Sequence, residues 1–453
     1  MNTSVDRLGQ ERVGKLLFSL AVPAIAAQLV NMLYNIVDRI YIGHIPNIGS
    51  EALTGVGVTF PIIMIISAFS ALIGMGGAPR AAINMGQNNK GAAEEILGNC
   101  FVSLIIVSIV LTILFLIFGE KLLLIFGASA KTLPHAMDYL KIYVLGTIFV
   151  QLSLGLNSFI STQGFAKTSM LTVIIGALIN IILDPILIFC FKMGVQGAAI
   201  ATVISQGVSA IWVLKFLSGK TTKLKLSKKY MKPKKSVLLP VLLLGVSPFI
   251  MQSTESLLNI AFNSSLQKYG GDLAVGSMTI LSSLIQLLAL PLTGLTQGAQ
   301  PIISYNYGAK NNERVKKTFK LLIICCLSFS FLFWVSMILF PKLFISLFTT
   351  DPTLVSMSVW AIGIYMAVVF VMGAQTACQQ TFIAIGQAKL SLFLALLRKI
   401  ILLIPLIYIL PNFFSDKIFA VFLAEPISDF IAVSTTVTVF YINFKKILNE
   451  NTL

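Results

Sequence analysis

Residues 169–191 read SMLTVIIGALINIILDPILIFCF, a segment long and apolar enough to cross a lipid bilayer as a helix. It holds a single charged residue, Asp184, which is followed directly by Pro185. An ionisable group in a spanning helix costs about 2.5 kcal/mol or more, so each one is by default a candidate for function. The segment therefore predicts a membrane helix that carries a functional acid.

The rest of the chain repeats this pattern. Its 453 residues are 57% hydrophobic and 11% charged, whereas soluble domains carry about 25% charged residues. With only 5 cysteines, a disulfide scaffold is excluded as well. Twelve spans are predicted, at 14–43, 52–78, 96–118, 136–162, 169–191, 195–218, 236–265, 272–300, 317–340, 355–384, 389–411 and 416–443.

The formal charge of +16 is distributed unevenly between the predicted loops. With both termini on one side, that side carries 23 basic residues and the other side carries 6. Basic residues concentrate on the cytoplasmic side of membrane proteins, so both termini are predicted to be cytoplasmic. The basic excess is then an orientation signal, and no nucleic-acid partner is expected.

The chain is predicted to consist of two similar halves. A basic cytoplasmic linker at 219–235 separates a six-helix bundle at 1–218 from another at 236–453. The two bundles are related by a sequence offset of 222 residues. This offset superposes Gly86 on Gly308, and the segment GFAK at 164–167 on GQAK at 386–389. Because six helices is an even number, both halves enter from the same side and are related by a pseudo-two-fold axis along the membrane normal. This predicts an all-α membrane fold with a central cleft.

Two bundles around a cleft suit alternating access, in which one half rocks against the other around a midplane site. The sequence contains no GxxxxGK[ST] phosphate-binding loop. An ion gradient is therefore the expected source of energy, and neither enzymatic activity nor an organic cofactor is predicted.

Four motifs carry a family resemblance: VDRIYIG at 37–43, the paired loops GQNNK at 86–90 and GAKNN at 308–312, and NIILDPILIF at 180–189. They resemble the multidrug and toxic compound extrusion (MATE) family, in particular its MepA-like and DinF-like bacterial branch. The resemblance implies a multi-pass protein of the bacterial cytoplasmic membrane, acting as a monomer among lipids. It would export amphipathic, often cationic, compounds in exchange for protons or sodium.

Helix counting places Asp38, Asp184 and Thr202 at a common depth of about 8 to 10 Å. Asn180 lies one turn from Asp184 on the same helix face. Two carboxylates, an amide and a hydroxyl can hold a hard cation such as sodium; alternatively, the close pair of acids could carry a proton. The resemblance implies a cation-coupling cluster of Asp38, Asn180, Asp184 and Thr202, with Asn157 and Tyr139 as further members.

A second polar face is predicted for the substrate cavity. Glu255 shares a helix face with Gln252 and Asn259, while Asn31 and Tyr34 lie on the face of Asp38. Glu255 could bind a cationic substrate or the coupling ion, or could make a fixed structural hydrogen bond. Tyr34 could contact a lipophilic cation or pack between helices.

Further charges occur in the last two predicted spans. Arg398 and Lys399 lie in one of these spans and Glu425 and Asp429 in the other, and helix counting places Arg398 and Asp429 at about the same depth. These charges could neutralise each other, or the residues could take part in transport. The resemblance also implies that the first helix bends near Pro23.

Two other functions share some of these features. A lipid-linked saccharide flippase of the same superfamily would need a strongly cationic cleft for a pyrophosphate, which the predicted acids Asp38, Asp184 and Glu255 disfavour. An integral-membrane enzyme or a receptor-like scaffold is the alternative from another class. An enzyme would need clustered nucleophile, base or metal residues at the membrane edge, and the sequence offers none.

Overall fold

The computed structural model describes residues 4–452, which are helical almost throughout and contain no strand in that range. The α-helices are α1 Ser4–Gln10, α2 Val13–Gly43, α3 Gly49–Gly86, α4 Lys90–Ile125, α5 Leu133–Leu145, α6 Thr147–Thr162, α7 Ala166–Pro185, α8 Gly194–Ser218, α9 Lys235–Gly308, α10 Asn312–Leu339, α11 Pro341–Ile345, α12 Pro352–Tyr365, α13 Met372–Ala384, α14 Ala388–Leu396, α15 Ile404–Ile409 and α16 Lys417–Thr452. Two π-helical turns, Ile186–Cys190 and Leu397–Leu403, extend α7 and α14.

The helices confirm an all-α membrane fold. Among the described residues, nine helices are long and apolar enough to cross a membrane, and two bent helix pairs bring that number to 11. One of the nine, α9, is interrupted at Gly271, where φ is 62° and ψ is −160°. Only glycine adopts this backbone conformation readily. Dividing α9 there gives twelve spans, the number that the hydropathy pattern predicts.

The two bent spans occupy equivalent places in the two halves. The pair α5 and α6 bends by 57° at Gly146, and the pair α12 and α13 bends by 53° at the 366–368 segment. The offset of 222 residues carries position 146 onto 368, so the bend is part of the repeat. Several helices also run further than hydropathy predicts; α3, for example, continues from the predicted end at 78 to Gly86.

The core does not divide where the linker does. Residues near the start of α2, Leu16, Leu17, Leu20 and Ala21, are buried in one cluster with α9 and the helices that follow it. The same helix also packs on α7 of the first half. The predicted domains 1–218 and 236–453 stay a prediction, and their ends at 1–3 and 453 lie outside the described residues.

The halves are in close contact at one end of the molecule, here called the terminal face, where the ends of α3 and α9 meet and where α1, the linker 219–235 and the end of α16 also lie. A Cβ added to Gly86 would overlap the carbonyl oxygen of Tyr305, and one added to Gly308 would overlap that of Ile83. The repeat offset relates these two contacts to each other. Two glycines thus let the backbones of α3 and α9 meet directly.

The N-terminal helix is held at this face by the second half. Asn306 Nδ2 donates a hydrogen bond of 2.8 Å to the carbonyl oxygen of Leu8, and Arg314 Nη2 donates to the carbonyls of Leu8 and Glu11 at 3.0 and 2.7 Å. The Leu8 side chain is completely buried among α9 and its neighbours. These bonds satisfy carbonyl groups that the end of a short helix leaves without partners.

The linker is bound to the first half at the same face. Gln163 Oε1 accepts hydrogen bonds from the Thr222 hydroxyl and from the backbone N–H groups of Lys223 and Leu224, at 2.8 to 2.9 Å. Asn99 bonds to the backbone of both Tyr230 and Lys234. The basic linker is therefore a docked segment rather than a free tether.

Candidate functional site

Asp38 and Asp184 meet inside the first half. Asp38 lies near the end of α2, Asp184 lies at the end of α7, and their carboxyl groups are close enough to interact electrostatically. Asp184 is completely buried. Two carboxylates can only accept hydrogen bonds, so a close pair needs a shared proton or a cation between them.

Asn180 and Thr202 complete the cluster. Asn180 Nδ2 donates to Asp184 Oδ1 at 3.2 Å and lies 3.4 Å from Thr202 Oγ1. The Thr202 hydroxyl donates to the carbonyl oxygen of Ala198 at 3.0 Å, so its oxygen still offers a lone pair. The predicted four-residue cluster is thus brought together by α2, α7 and α8.

Three oxygens of this cluster are buried without a hydrogen-bond partner anywhere in residues 4–452: Asp38 Oδ1, Asn180 Oδ1 and Asp184 Oδ2. Buried acceptors without partners are costly. Oxygen atoms from carboxylates, an amide and a hydroxyl suit a proton or a hard cation such as sodium. The described residues hold no group of three or more His, Cys, Asp or Glu side chains of the kind that binds transition metals.

The backbone at Asp184 is irregular. Pro185 has no N–H group to donate, and the helix widens into the π-helical turn Ile186–Cys190 immediately after it. Such turns free backbone carbonyls from regular helical bonding and often occur at functional sites.

Two tyrosines border the acid pair. Tyr139 is buried, lies beside Thr202 and stacks on Tyr143 with ring centroids 5.9 Å apart. The structure therefore brings Tyr139 to the cluster, as the family resemblance implies. Tyr34 lies near both acids and also lines the central cavity.

Asn157 is a correction to the implied cluster. Its Nδ2 donates to the carbonyl oxygen of Ser169 at 3.2 Å, near the inner end of α7. Ser169 precedes Asn180 by 11 residues on α7, which corresponds to about 16 Å of helix. The structure therefore places Asn157 on the central cavity and away from the acids.

A cavity of about 340 Å³ lies between the two halves. The predicted residues Asn31, Tyr34 and Gln252 line it, whereas Glu255 and Asn259 do not. Residues that the sequence analysis overlooked line it too: Gln28, Gln206, Gln297 and Gln300. Gln28 Nε2 donates to Gln297 Oε1 at 3.3 Å, which links α2 to α9. An inventory of amides in apolar helices, in addition to ionisable groups, would have found them.

Glu255 forms an ion pair with Lys399, and Lys399 Nζ also donates to the carbonyl oxygen of Met251 at 2.9 Å. Lys399 is buried, whereas the Glu255 side chain is 55% exposed. The ion pair agrees with the fixed structural role that was one alternative for Glu255, and a role in binding the substrate or the coupling ion stays a prediction.

Arg398 joins α14 to α16. Its Nε lies 2.7 Å from Asp429 Oδ1, and its Nη2 lies 3.5 Å from Glu425 Oε1. The structure brings these three residues together as mutual neutralisation requires.

Pro23 is buried within α2, which continues through it as a single helix from Val13 to Gly43.

Twelve apolar spans among the described residues, an internal cavity and a buried pair of acids beside it are features of a membrane transporter. The sequence model of the family described as MatE matches residues 23–186 and 248–409, one segment in each half. The chain therefore belongs to the MatE family, the multidrug and toxic compound extrusion transporters, and it is a transporter rather than an enzyme.

Individual relatives agree with this assignment. The chain is 28% identical over 429 residues to the multidrug export protein MepA of Staphylococcus haemolyticus strain JCSC1435, covering 94% of this chain and 93% of that protein. A MATE protein solved in a bent conformation has a TM-score of 0.92 at 22% identity, with 99% of both chains covered. An outward-facing multidrug resistance MATE transporter has a TM-score of 0.90 at 22% identity, covering 97% of this chain and 98% of the other.

Proposed function

We propose that this protein exports small molecules across the bacterial cytoplasmic membrane in exchange for protons or sodium ions. The observation that carries the proposal is the set of three buried oxygens without partners, on Asp38, Asn180 and Asp184. They form a cation site that adjoins, through Tyr34, the central cavity. The similarity to multidrug export proteins supports export as the direction.

The exchange follows from electrostatics. When the acids are empty, two carboxylates repel each other, and a bound proton or sodium ion lets α2 and α7 close on one another. Because Asp38 and Tyr34 both lie on α2, that closure moves part of the cavity wall. Cargo and cation then favour different arrangements, and the coupling is equal in both directions.

The membrane potential can drive this exchange. One elementary charge crossing 100 mV contributes about 2.3 kcal/mol, equivalent to roughly a fifty-fold cargo gradient. An ion concentration gradient adds to this. Gly86 contacts the backbone of α9 and Gly308 contacts the backbone of α3, which supports a conformer that is closed at the terminal face. In this proposal the terminal face is cytoplasmic, because the loops on that side are rich in basic residues.

Both halves of the transport path lie in one chain, so a monomer surrounded by lipid is sufficient in this proposal. The flippase alternative gains no support, because no Lys or Arg among the described residues lines the cavity. A pyrophosphate cargo would have no cationic partner there.

The test uses purified full-length protein in liposomes loaded with a transported dye, with a pH gradient and a sodium gradient imposed separately. We expect one gradient to drive dye movement, and Asp38→Asn and Asp184→Asn each to reduce the rate at least tenfold. Asp272→Asn is the matched control, because this exposed acid lies outside the cluster. Wild-type rates in both Asp38→Asn and Asp184→Asn would overturn the proposed cation site.

A further inference from the structure

A cluster of five charged side chains lies in the second half of the chain. It joins α9, the π-helical turn after α14, and α16, and it is here called the second-half cluster: Glu255, Arg398, Lys399, Glu425 and Asp429. All three elements belong to helices that are apolar enough to cross a membrane. With three acids and two cations, full ionisation of the cluster would leave one negative charge in excess.

Two of the three acids have a close cationic partner. Asp429 Oδ1 lies 2.7 Å from Arg398 Nε, and Glu255 forms its ion pair with Lys399. The Glu255 side chain is also more than half exposed, so its charge is partly stabilised outside the protein interior. Glu425 has only Arg398 Nη2, at 3.5 Å, which is long for a hydrogen bond between charged groups. The excess negative charge therefore falls on Glu425.

The surroundings of Glu425 supply no further cation to balance this charge. Glu425 is 8% exposed, and its Oε2 atom is buried without a hydrogen-bond partner among residues 4–452. Tyr365 of α12 is a further ionisable group close to the cluster. The helices α13, α14 and α15 also pack on α16, and their ionisable side chains are Cys378, Lys389 and Tyr408. Lys389 precedes Arg398 by nine residues, which corresponds to about 13 Å of helix.

We infer that Glu425 binds a proton, so that the second-half cluster is electrically neutral. A buried neutral carboxyl group costs much less than a buried carboxylate without a counter-charge. A metal ion fits this position less well, because hard cations take several oxygen ligands. Among the described residues, Glu425 Oε2 is the one buried acid oxygen of the cluster without a partner. The site lies in the other half from Asp38 and Asp184 and goes beyond the proposed cation site.

Infrared spectroscopy of the purified full-length protein tests this assignment, because a protonated carboxyl group has a carbonyl stretch that a carboxylate lacks. The protein is prepared at neutral pH in a detergent without ester groups, with and without ¹³C at the side-chain carboxyl of glutamate. We expect a carboxylic-acid band that shifts with the label and that falls at least fivefold in the Glu425→Gln protein. Glu120→Gln is the matched control and should keep the band, because this exposed acid at the end of α4 lies outside the cluster.

Changing the balance of charges tests why the proton is bound. Asp429→Asn frees Arg398 to pair with Glu425 and leaves two acids with two cations, so the band should fall at least fivefold although Glu425 is still present. Glu255→Gln reaches the same balance by removing a different acid, and it gives a second reading if the Asp429→Asn protein does not fold. Glu425→Gln replaces one neutral group with another, so this protein should keep the wild-type melting temperature.

Three outcomes would overturn the inference. One is a wild-type spectrum without any carboxylic-acid band that shifts with the label, and another is a band that persists unchanged in the Glu425→Gln protein. The third is an undiminished band in folded Asp429→Asn and Glu255→Gln proteins, which would refute the count of charges. A proton held by Asp38 and Asp184 gives an aspartate band that the glutamate label does not move, so these results leave the proposed function to its own test.

Discussion

Replacing Gly86 with alanine should open the molecule at its terminal face. An added Cβ would overlap the carbonyl oxygen of Tyr305, which is backbone and cannot rotate away. Overpacking of this kind costs about 1–3 kcal/mol, and the cost falls only on the arrangement in which α3 and α9 touch. The ratio of separated to touching conformers should therefore rise roughly 5- to 150-fold.

The change can be followed by labelling a cavity cysteine from the terminal face. Ser161 lines the cavity close to the end of α6 that lies beside the linker, so Ser161→Cys is introduced after the five native cysteines have been replaced. A membrane-impermeant maleimide should then react faster in the Gly86→Ala protein. Gly57→Ala is the control on the same helix, because an added Cβ there has no atom within 4 Å.

The reciprocal contact gives an independent check. Gly308 meets the carbonyl oxygen of Ile83, so Gly308→Ala should raise the labelling rate as Gly86→Ala does. Equal labelling of the Gly86→Ala and Gly57→Ala proteins, both folded, would refute the idea that these glycines hold the terminal face closed.

Three further predictions concern charge and anchoring. Arg398→Gln removes the partner of two buried carboxylates and should cost about 3–5 kcal/mol, measured as a lower melting temperature. Gln163→Leu removes three hydrogen bonds worth about 0.5–1.5 kcal/mol each, and trypsin should cut the linker at least tenfold faster. Hydrogen bonding to Arg7 lowers the pKa of Glu11 from its ordinary 4.5, so Glu11 stabilises the N-terminal segment above that pH. Protection of residues 7–15 from hydrogen exchange should fall as the pH drops below 4.5.

Each of these has a control. Lys316→Gln breaks only an exposed ion pair with Glu313 and should leave the melting temperature unchanged. Gln267→Leu should not alter cleavage of the linker. In a Glu11→Gln protein the exchange protection of the N-terminal segment should no longer depend on pH in this range; an unchanged dependence would assign the effect to another group.

The membrane spans and the pair of acids could be predicted from the sequence. The spans depend on local hydropathy, and the pairing depends on how far each acid lies from the end of its helix. Twenty apolar residues predict a helix, and counting inward from the helix ends puts Asp38 and Asp184 at one level. The same counting argues against Asn157 as a member of the cluster. This residue lies close to the end of α6, at a different level from Asp38 and Asp184.

The rotation of one helix relative to its neighbour could not be predicted from the sequence. The pairing of Lys399 with Glu255 depends on which faces of α9 and the π-helical turn after α14 meet, and a single sequence carries no signal for that. The helix ends at the terminal face were also underestimated, because polar residues extend α3 and α9 past the apolar run. Gln28, Gln206, Gln297 and Gln300 of the cavity wall are uncharged, so they lack the large cost in a spanning helix that marks an ionisable residue as a candidate.

The way the second half holds α1 bears on how the chain is made. Leu8 and Glu11 are synthesised about three hundred residues before their partners Asn306 and Arg314. Until then the first span has no complete set of neighbours at its inner end. Assembly of this end must therefore wait for insertion of the second half, and a ribosome-bound fragment ending before α9 should leave the N-terminal helix open to proteases.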